Sequence, residues 1–132
     1  MMFKVDDVFL ENFIVSNEIY NGFITLFKDQ NPLHTEIQFA QSKGFLSEVM
    51  HGNILNGFLS YFIGEGLPTK NVIIHSQEIQ YKNPVYRNDS LQFKAIVIGV
   101  YDSVNAVEFK FDFKNSSDKT VAKGKIQIGL LL

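Results

Sequence analysis

The sequence predicts an α+β fold, with helices in the first half of the chain and an antiparallel sheet in the second. Apolar residues recur at helical spacing in the first half, whereas later segments alternate apolar and polar residues or are rich in β-branched ones. Turn residues separate these later segments from one another. Helices early and consecutive strands late are typical of an antiparallel sheet packed against helices.

The first helix is predicted from Asn17 to the region of Phe27. Ser16 is a suitable N-cap, and the apolar residues after it recur in steps of one, three and four, which favours a helix with one broad buried face. The proline that follows Asn31 disfavours helical backbone in the residue before it. This helix is therefore expected to stop near Asp29 or Asn31.

Two further helices are predicted before the strands begin. A short one covers residues 35–42, with Gly44 as its C-terminal stop. Another begins near Gly52 and ends at Gly64 or Gly66. It has few polar positions, so we expect it to be buried on most sides. Its apolar residues are Ile54, Leu55, Phe58, Leu59, Phe62 and Ile63.

Short extended segments and four longer strands complete the predicted secondary structure. The N-terminal extended segments surround an acidic turn at Asp6 and Asp7, and the longer strands are separated by clusters of Asn, Asp, Ser and Pro. The predicted strands are residues 3–5, 11–15, 72–81, 91–101, 104–113 and 120–131.

Composition limits the possible classes of protein. A chain of 132 residues is expected to form a single domain spanning residues 1–132, and 45% apolar with 20% charged residues is typical of a soluble globular protein. The net charge of −2, without a basic stripe, predicts no nucleic-acid partner. No apolar run is long enough for a membrane span, and the absence of cysteine leaves secretion without support. We therefore expect a cytoplasmic protein that has no membrane partner.

The segment from Asp29 to His34 is the strongest candidate for chemistry. It places a carboxylate and an imidazole, both common proton-transfer groups, on either side of an Asn-Pro turn formed by Asn31 and Pro32. Asn-Pro with a nearby aspartate is also an ordinary way to end a helix. The spacing alone therefore leaves both interpretations open.

The residues around this pair resemble the hydratase 2 signature of MaoC-like enoyl-CoA hydratases and dehydratases. In that signature an aromatic residue precedes an aliphatic one, a small residue, Gly-Asp, any residue, Asn-Pro, an aliphatic residue and His, with Ala or Ser following. Phe27 and Lys28 depart from it, because they replace the small residue and the glycine. The matching residues are Phe23, Leu26, Asp29, Asn31, Pro32, Leu33, His34 and Ala40.

The resemblance continues to about residue 91. Residues 50–53 read Met-His-Gly-Asn and resemble the Val-His-Gly-Met segment at the start of the family's central helix. Ser60 matches a serine near the active site of several members, and residues 81–85 resemble a strand ending in Phe-Lys-x-Pro-Val.

This resemblance implies a hotdog fold, an antiparallel sheet wrapped around a long central helix. It also implies a hydratase or dehydratase acting on 2-enoyl or 3-hydroxyacyl thioesters, in which Asp29 and His34 are the catalytic pair. The reaction needs donors for the developing enolate, which the free N–H groups at a helix start supply, and Gly52 fits that position. Ser60 and His51 are further candidates around the substrate, although His51 also suits a structural hydrogen bond.

Asn31 is assigned to the turn and to orienting its neighbours, and it completes the candidate site. The substrate is expected to bring CoA or the pantetheine of an acyl carrier protein, so no separate cofactor is expected. The three histidines lie far apart in the sequence without ligand spacing, which predicts no metal site. His75, in a predicted strand, is read as a packing or surface residue.

Two other functions remain open. A hotdog acyl-CoA thioesterase also uses a carboxylate and the amides of a helix start, although the Asp-x-Asn-Pro-Leu-His string from Asp29 to His34 speaks against it. A noncatalytic acyl-binding or structural protein is the third possibility, because one fold hosts many functions. Phe27 and Lys28 keep this third reading open, whereas the presence of both Asp29 and His34 argues against it.

Assembly follows from the expected sheet. A single hotdog unit leaves one strand edge unpaired and one side of the acyl channel open, and proteins usually cover exposed edges. The late strands are rich in residues that favour edge-to-edge pairing. We therefore expect a homodimer, or a multiple of dimers, in which the second protomer helps to shape each acyl channel.

Overall fold

The structure, a computed structural model, describes residues 2–132 and confirms the predicted α+β class. Five antiparallel strands form one sheet in the order β1-β3-β4-β5-β2. No helix in this described part is long and apolar enough to cross a membrane. The helices are α1 Asn17–Phe27, α2 Pro32–Thr35, α3 Ile37–Ser42 and α4 Asn53–Glu65. The strands are β1 Val8–Ile14, β2 Val72–Tyr81, β3 Ser90–Tyr101, β4 Ala106–Lys114 and β5 Thr120–Leu130.

Helix α4 lies in the centre of the hydrophobic core, as its sequence predicts. All six apolar residues named for it in the sequence are buried. The ring of Phe62 lies 4.8 Å from Phe93 on β3 and 5.8 Å from Phe109 on β4. Phe58 stacks on Phe13 of β1 with ring centroids 4.5 Å apart. Aromatic side chains from three strands therefore fix α4 against the sheet.

Residues 3–5, for which the sequence predicts a short strand or an extended segment, form no strand. The N–H of Asp7 donates to the carbonyl of Lys4 at 3.0 Å, and the N–H of Lys4 donates to Oδ2 of Asp7 at 2.8 Å. Asp6 has a φ of 76°, which belongs to a turn and not to a strand. Phe3 is 2% exposed, so its apolar character reflects core packing.

Three predicted boundaries also differ from the structure. β1 begins at Val8, three residues earlier than predicted. The helix predicted at 35–42 begins only at Ile37, as α3, because Glu36 has an extended backbone with φ −124° and ψ 109°. The preceding α2, Pro32–Thr35, is a helix that the sequence reasoning does not predict. A 3₁₀ turn occupies Asp102–Val104, and β4 starts only after Asn105, whose φ is 52°. The breaks at Glu36 and Asn105 each lie at a single residue whose backbone conformation differs from that of its neighbours.

Strand β2 is one edge of the sheet and is unusually exposed. It pairs only with β5, and eight of its ten residues are exposed while the other two are half-buried. The exposed residues include Ile73, Ile74 and Tyr81, which are large and apolar. An apolar strand with one unpaired edge is the kind of surface that another strand covers.

Candidate active site

Asp29 lies directly after α1, where the chain makes a left-handed turn. Lys28 has φ 60° and ψ 22°, and its N–H donates to the carbonyl of Ile24 at 2.8 Å. The signature has glycine at this position, and glycine adopts this conformation without steric cost. Lys28 adopts the same conformation at a cost of about 1 kcal/mol. The departure from the signature therefore leaves the backbone turn intact, and Asp29 lines a cavity.

Asn31 holds the turn between α1 and α2. Its side-chain oxygen accepts the N–H of Leu33 at 2.9 Å, which caps α2, and Pro32 occupies the first turn of that helix. The N–H of Asn31 donates to Oδ1 of Asp29 at 3.2 Å. Asn31 is not among the residues that line the cavity. Asn31 therefore contributes to the turn as the sequence predicts, and its side chain forms a hydrogen bond with the backbone.

His34, on α2, has its ring orientation set by a main-chain acceptor. Nδ1 lies 2.7 Å from the carbonyl oxygen of Val49, and since that oxygen only accepts, Nδ1 must carry the proton. In the neutral ring Nε2 is then left with a free lone pair. His34 is thus held as a ring that accepts a proton at Nε2.

Tyr20 supports the backbone on both sides of this contact. Its hydroxyl donates to the carbonyl of His34 at 2.7 Å and also lies 3.1 Å from the carbonyl oxygen of Val49. Burial, with a smaller effect of the Glu48 carboxylate, raises the pKa of Tyr20 to about 12. Tyr20 therefore keeps its proton and remains a donor. Sequence reasoning counted Tyr20 only as an apolar helix position, because nothing local marks a hydroxyl that acts on residues 14 and 29 positions away.

His51 precedes α4 and contacts both candidate catalytic residues. Its Nε2 lies 2.9 Å from the main-chain carbonyl oxygen of Asp29, so Nε2 carries a proton and donates it. Its ring stacks on His34 with centroids 3.9 Å apart and planes 25° from parallel. Burial lowers the pKa of His51 below 6.5, and the neighbouring His34 lowers it further, whereas the Asp29 carbonyl opposes this shift. His51 is therefore neutral at pH 7.

Gly52 is the N-cap residue of α4 and lines the same cavity. At the start of α4 the N–H of Ile54 donates to the carbonyl of His51, and the N–H of Leu55 donates to the carbonyl of Gly52. In the described chain the N–H groups of Gly52 and Asn53 have no main-chain acceptor. These two amides are the free donors that a helix start presents to an anionic oxygen.

The ring of Tyr81, from the end of β2, lies close to Gly52. A Cβ placed on Gly52 would lie 2.9 Å from Cε1 of Tyr81 and 3.0 Å from its Cζ. Such contacts are closer than carbon atoms normally approach. A side chain at Gly52 would therefore have to displace the ring of Tyr81.

One cavity of about 600 Å³ brings most of the predicted site together. Its wall includes Asp29, His34, His51 and Gly52. Ser60 does not join them: it is exposed on α4 and is not among the lining residues. The sequence reasoning placed Ser60 on the helix face of Gly52, but two turns of helix carry it away from the cavity of its own chain.

The ligand atoms of Asp29, His34 and His51 lie within 4.8 Å of one another. This spacing would suit a metal ion, but one nitrogen of each ring is already engaged. Nδ1 of His34 and Nε2 of His51 bond main-chain oxygens. Each ring therefore keeps a single nitrogen, Nε2 of His34 and Nδ1 of His51, for any further partner.

The same spacing suits a water molecule between Asp29 and His34. Two hydrogen bonds of ordinary length to one water separate their outer atoms by about 4.6 Å. The carboxylate of Asp29 and a ring nitrogen of His34 lie within 4.8 Å. The spacing therefore allows both groups to accept a hydrogen bond from one water. The residues with free amides at the start of α4 line the same cavity.

Comparison with known proteins identifies the family. Residues 5–119 match the sequence profile described as MaoC like domain. The chain is 27% identical over 127 residues to the mitochondrial 3-hydroxyacyl-(acyl-carrier-protein) dehydratase of Arabidopsis thaliana, covering 94% of this chain and 75% of the relative. It is 31% identical over 97 residues to an (R)-specific enoyl-CoA hydratase of Rhodospirillum rubrum, covering 74% of this chain and 67% of the relative.

A solved structure shows the same fold. The (R)-hydratase from A. caviae involved in PHA biosynthesis superposes with a TM-score of 0.89 at 22% identity, covering 97% of each chain. The structure thereby confirms the hotdog fold that the sequence resemblance implies. The match to residues 5–119 includes every residue of the candidate site, and the chain belongs to the MaoC-like domain family.

Proposed function

We propose that the protein is a hydro-lyase that adds water reversibly to the C2–C3 double bond of a trans-2-enoyl thioester of CoA or acyl carrier protein. One observation carries the proposal: Asp29, His34 and the free amides at the start of α4 line one cavity. The names of the Arabidopsis and Rhodospirillum relatives, a dehydratase and a hydratase of such thioesters, support it.

The pair performs the two proton transfers in this proposal. The carboxylate of Asp29 accepts a hydrogen bond from the water and orients it, while Nε2 of His34 takes a proton as the water oxygen bonds to C3. The resulting imidazolium delivers that proton to C2, so the elements of water are added and His34 returns to its starting state. The negative charge of Asp29 stabilises the transient imidazolium. The hydrogen bond from Nδ1 of His34 to Val49 supports this division of labour.

The start of α4 stabilises the enolate in this proposal. As the C3–O bond forms, negative charge develops on the thioester oxygen, and the amides of Gly52 and Asn53 donate to it. The helix dipole adds to their effect. All the groups that the reaction needs belong to the chain, so we propose that it requires no cofactor or metal beyond the CoA or pantetheine of the substrate. Following the composition, we also place the protein in the cytoplasm.

An apolar groove beside the cavity supports a substrate with an alkyl tail. The groove lies between α1 and α4, has a volume of about 910 Å³, and shares Phe23, Asp29 and Asn53 with the catalytic cavity. Exposed Leu26 and Phe27 form part of its wall. We propose that the acyl chain beyond C4 lies here, because burying its methylene groups against these residues is favourable.

Two copies of the chain are proposed to form the active unit. The exposed edge and faces of β2 supply a surface that pairing with a second copy covers, and a two-fold dimer closes this contact. Ser60 lies exposed on α4 and reaches no site of its own chain. A second protomer is therefore proposed to cover the open side of the groove.

The primary experiment separates hydratase from thioesterase activity. Purified protein is incubated with crotonyl-, hexenoyl- and octenoyl-CoA while the enoyl absorbance and free thiol are followed together. Loss of absorbance without thiol release supports the proposal. Thiol release identifies a thioesterase, and the absence of both reactions with CoA and acyl-carrier-protein substrates supports a noncatalytic protein.

The groove and the dimer have separate tests. A Cβ on Gly57, which lines the groove, meets nothing within 4 Å, so Gly57→Leu fills open space without a clash in the chain. It is expected to slow octenoyl-CoA about 10-fold more than crotonyl-CoA, whereas Thr25→Leu on α1 outside the groove affects both equally. Sedimentation at assay concentration tests the dimer, and a stable, fully active monomer would contradict it.

A further inference from the structure

We infer that His51 is a positioning residue that holds both members of the catalytic pair through separate contacts. It donates from Nε2 to the main-chain carbonyl of Asp29 at 2.9 Å, and its ring stacks on His34 at 3.9 Å. This inference rests on the proposed function, because it concerns how Asp29 and His34 keep their relative geometry. It differs from the earlier assignment of His51 to the substrate.

The bond to Asp29 is a long-range restraint on an exposed segment. Asp29 is exposed between α1 and α2, and its carboxylate has one hydrogen bond in the described chain, from the N–H of Asn31 two residues away. The bond from His51 joins this segment to a residue 22 positions further along the chain. His51 is 2% exposed and immediately precedes α4, the helix at the centre of the core. The restraint thus connects Asp29 to the rigid part of the molecule.

The stack restrains the ring of His34 from one side. His51 also packs against Phe23, with ring centroids 4.7 Å apart, and against Tyr20, with ring centroids 5.8 Å apart. Because these contacts bury His51, His34 packs against a well-packed surface. Together with the bond from Nδ1 to Val49, the stack defines where Nε2 of His34 lies.

The identity of this side chain points to more than packing. Nδ1 of His51 is buried and has no hydrogen-bond partner among the described residues. An unpaired buried nitrogen lowers stability, and a phenylalanine or leucine would fill the same space without this cost. A neutral imidazole supplies a donor for Asp29 and a flat face for His34 in one side chain. Its neutrality, due to burial, also avoids repulsion when His34 takes a proton.

Two substitutions separate the two contacts. His51→Phe keeps a flat ring against His34 but removes the donor to Asp29, whereas His51→Gln keeps an amide donor but removes the stack. Each is expected to lower kcat for crotonyl-CoA about 10-fold with KM within twofold, because geometry at the reacting atoms changes and binding does not. Ser117→Phe and Ser117→Gln, in the exposed turn before β5 and outside the cavity, are the controls and are expected to have no effect.

The His34→Ala background distinguishes positioning from general support of the fold. In this background there is no His34 ring to position, so His51→Gln is expected to lower kcat no further. His51→Phe is still expected to lower kcat about 10-fold, because it removes the donor to Asp29. A purely structural role of His51 would give His51→Gln the same loss in both backgrounds. Thermal unfolding of His51→Phe is expected near the wild-type temperature, since removal of the unpaired nitrogen offsets loss of the bond to Asp29.

The outcomes decide the inference independently of the proposed function. Wild-type protein without hydration activity on any enoyl thioester would refute the proposed function. An active wild type with His51 variants of normal kcat, or with equal losses for His51→Gln in the presence and absence of His34, would refute the positioning role alone. If His51→Phe does not fold, the additivity of His51→Gln with His34→Ala decides the question.

Discussion

Asp29→Asn removes the negative charge of the candidate pair while it keeps the shape of the side chain. The amide oxygen of asparagine can still accept the N–H of Asn31, which now lies 3.2 Å from Oδ1. The bond from His51 goes to the main-chain carbonyl of residue 29, so the substitution leaves it in place. Because Asp29 is exposed, we expect the free energy of unfolding to change by less than about 0.5 kcal/mol.

The magnitude of the effect on hydration follows from the distance between the two groups. The ligand atoms of Asp29 and His34 lie within 4.8 Å. At that separation a unit negative charge stabilises an imidazolium by about 1 kcal/mol with the dielectric constant of water and about 3.5 kcal/mol with an effective value near 20. A charged acceptor also binds water more strongly than an amide, by about 1 kcal/mol. Together these effects are worth about 2–4.5 kcal/mol, so the expected loss is about 30- to 2000-fold in kcat.

The assay compares Asp29→Asn with wild type on crotonyl-CoA by the loss of enoyl absorbance. Asp102→Asn is the matched control, because Asp102 is also an exposed carboxylate but lies in the turn before β4, outside the cavity. Circular dichroism and urea unfolding confirm that the three proteins fold alike. Activity of Asp29→Asn within a few-fold of wild type would refute the assignment of Asp29 to the mechanism.

Three further predictions concern the backbone and the pH dependence of the fold. Gly52→Val is expected to lose hydration activity at least 10-fold because its side chain would displace Tyr81 and obstruct the helix-start amides; equal turnover in the assay would place the oxyanion elsewhere. Lys28→Gly should relieve the left-handed strain at φ 60° and raise the free energy of unfolding by about 0.5–1 kcal/mol, which urea titration measures; no change would mean that Lys28 makes compensating contacts. His51 has a pKa below 6.5 in the folded protein, so the unfolded chain binds its proton more readily and stability is expected to fall as the pH drops below about 6.5. His51→Phe should flatten this dependence in thermal unfolding, and an unchanged slope would assign it to other groups.

The amino-acid sequence by itself determined the elements and much of the candidate site. Asn31 and Pro32 predict a turn after the first helix, and the structure has that turn. The apolar residues of α4 are all buried as expected, and the late strands pair in an antiparallel sheet. These features depend on residues a few positions apart, so spacing predicts them. Asp29 and His34 share a turn and were recognisable together for the same reason.

Only the tertiary structure decided which distant groups complete the site. The acceptor for Nδ1 of His34 is the carbonyl of Val49, and nothing in the local sequence marks a main-chain oxygen 15 residues away. The contact of Tyr81 with Gly52 and the exposure of Ser60 likewise depend on how α4 packs against the sheet. Such contacts are set by the angles and distances between whole elements, because the core admits few arrangements of its large aromatic side chains. Sequence patterning therefore determined the candidate pair, and packing of the core decided the tautomer of His34 and the neighbours of both residues.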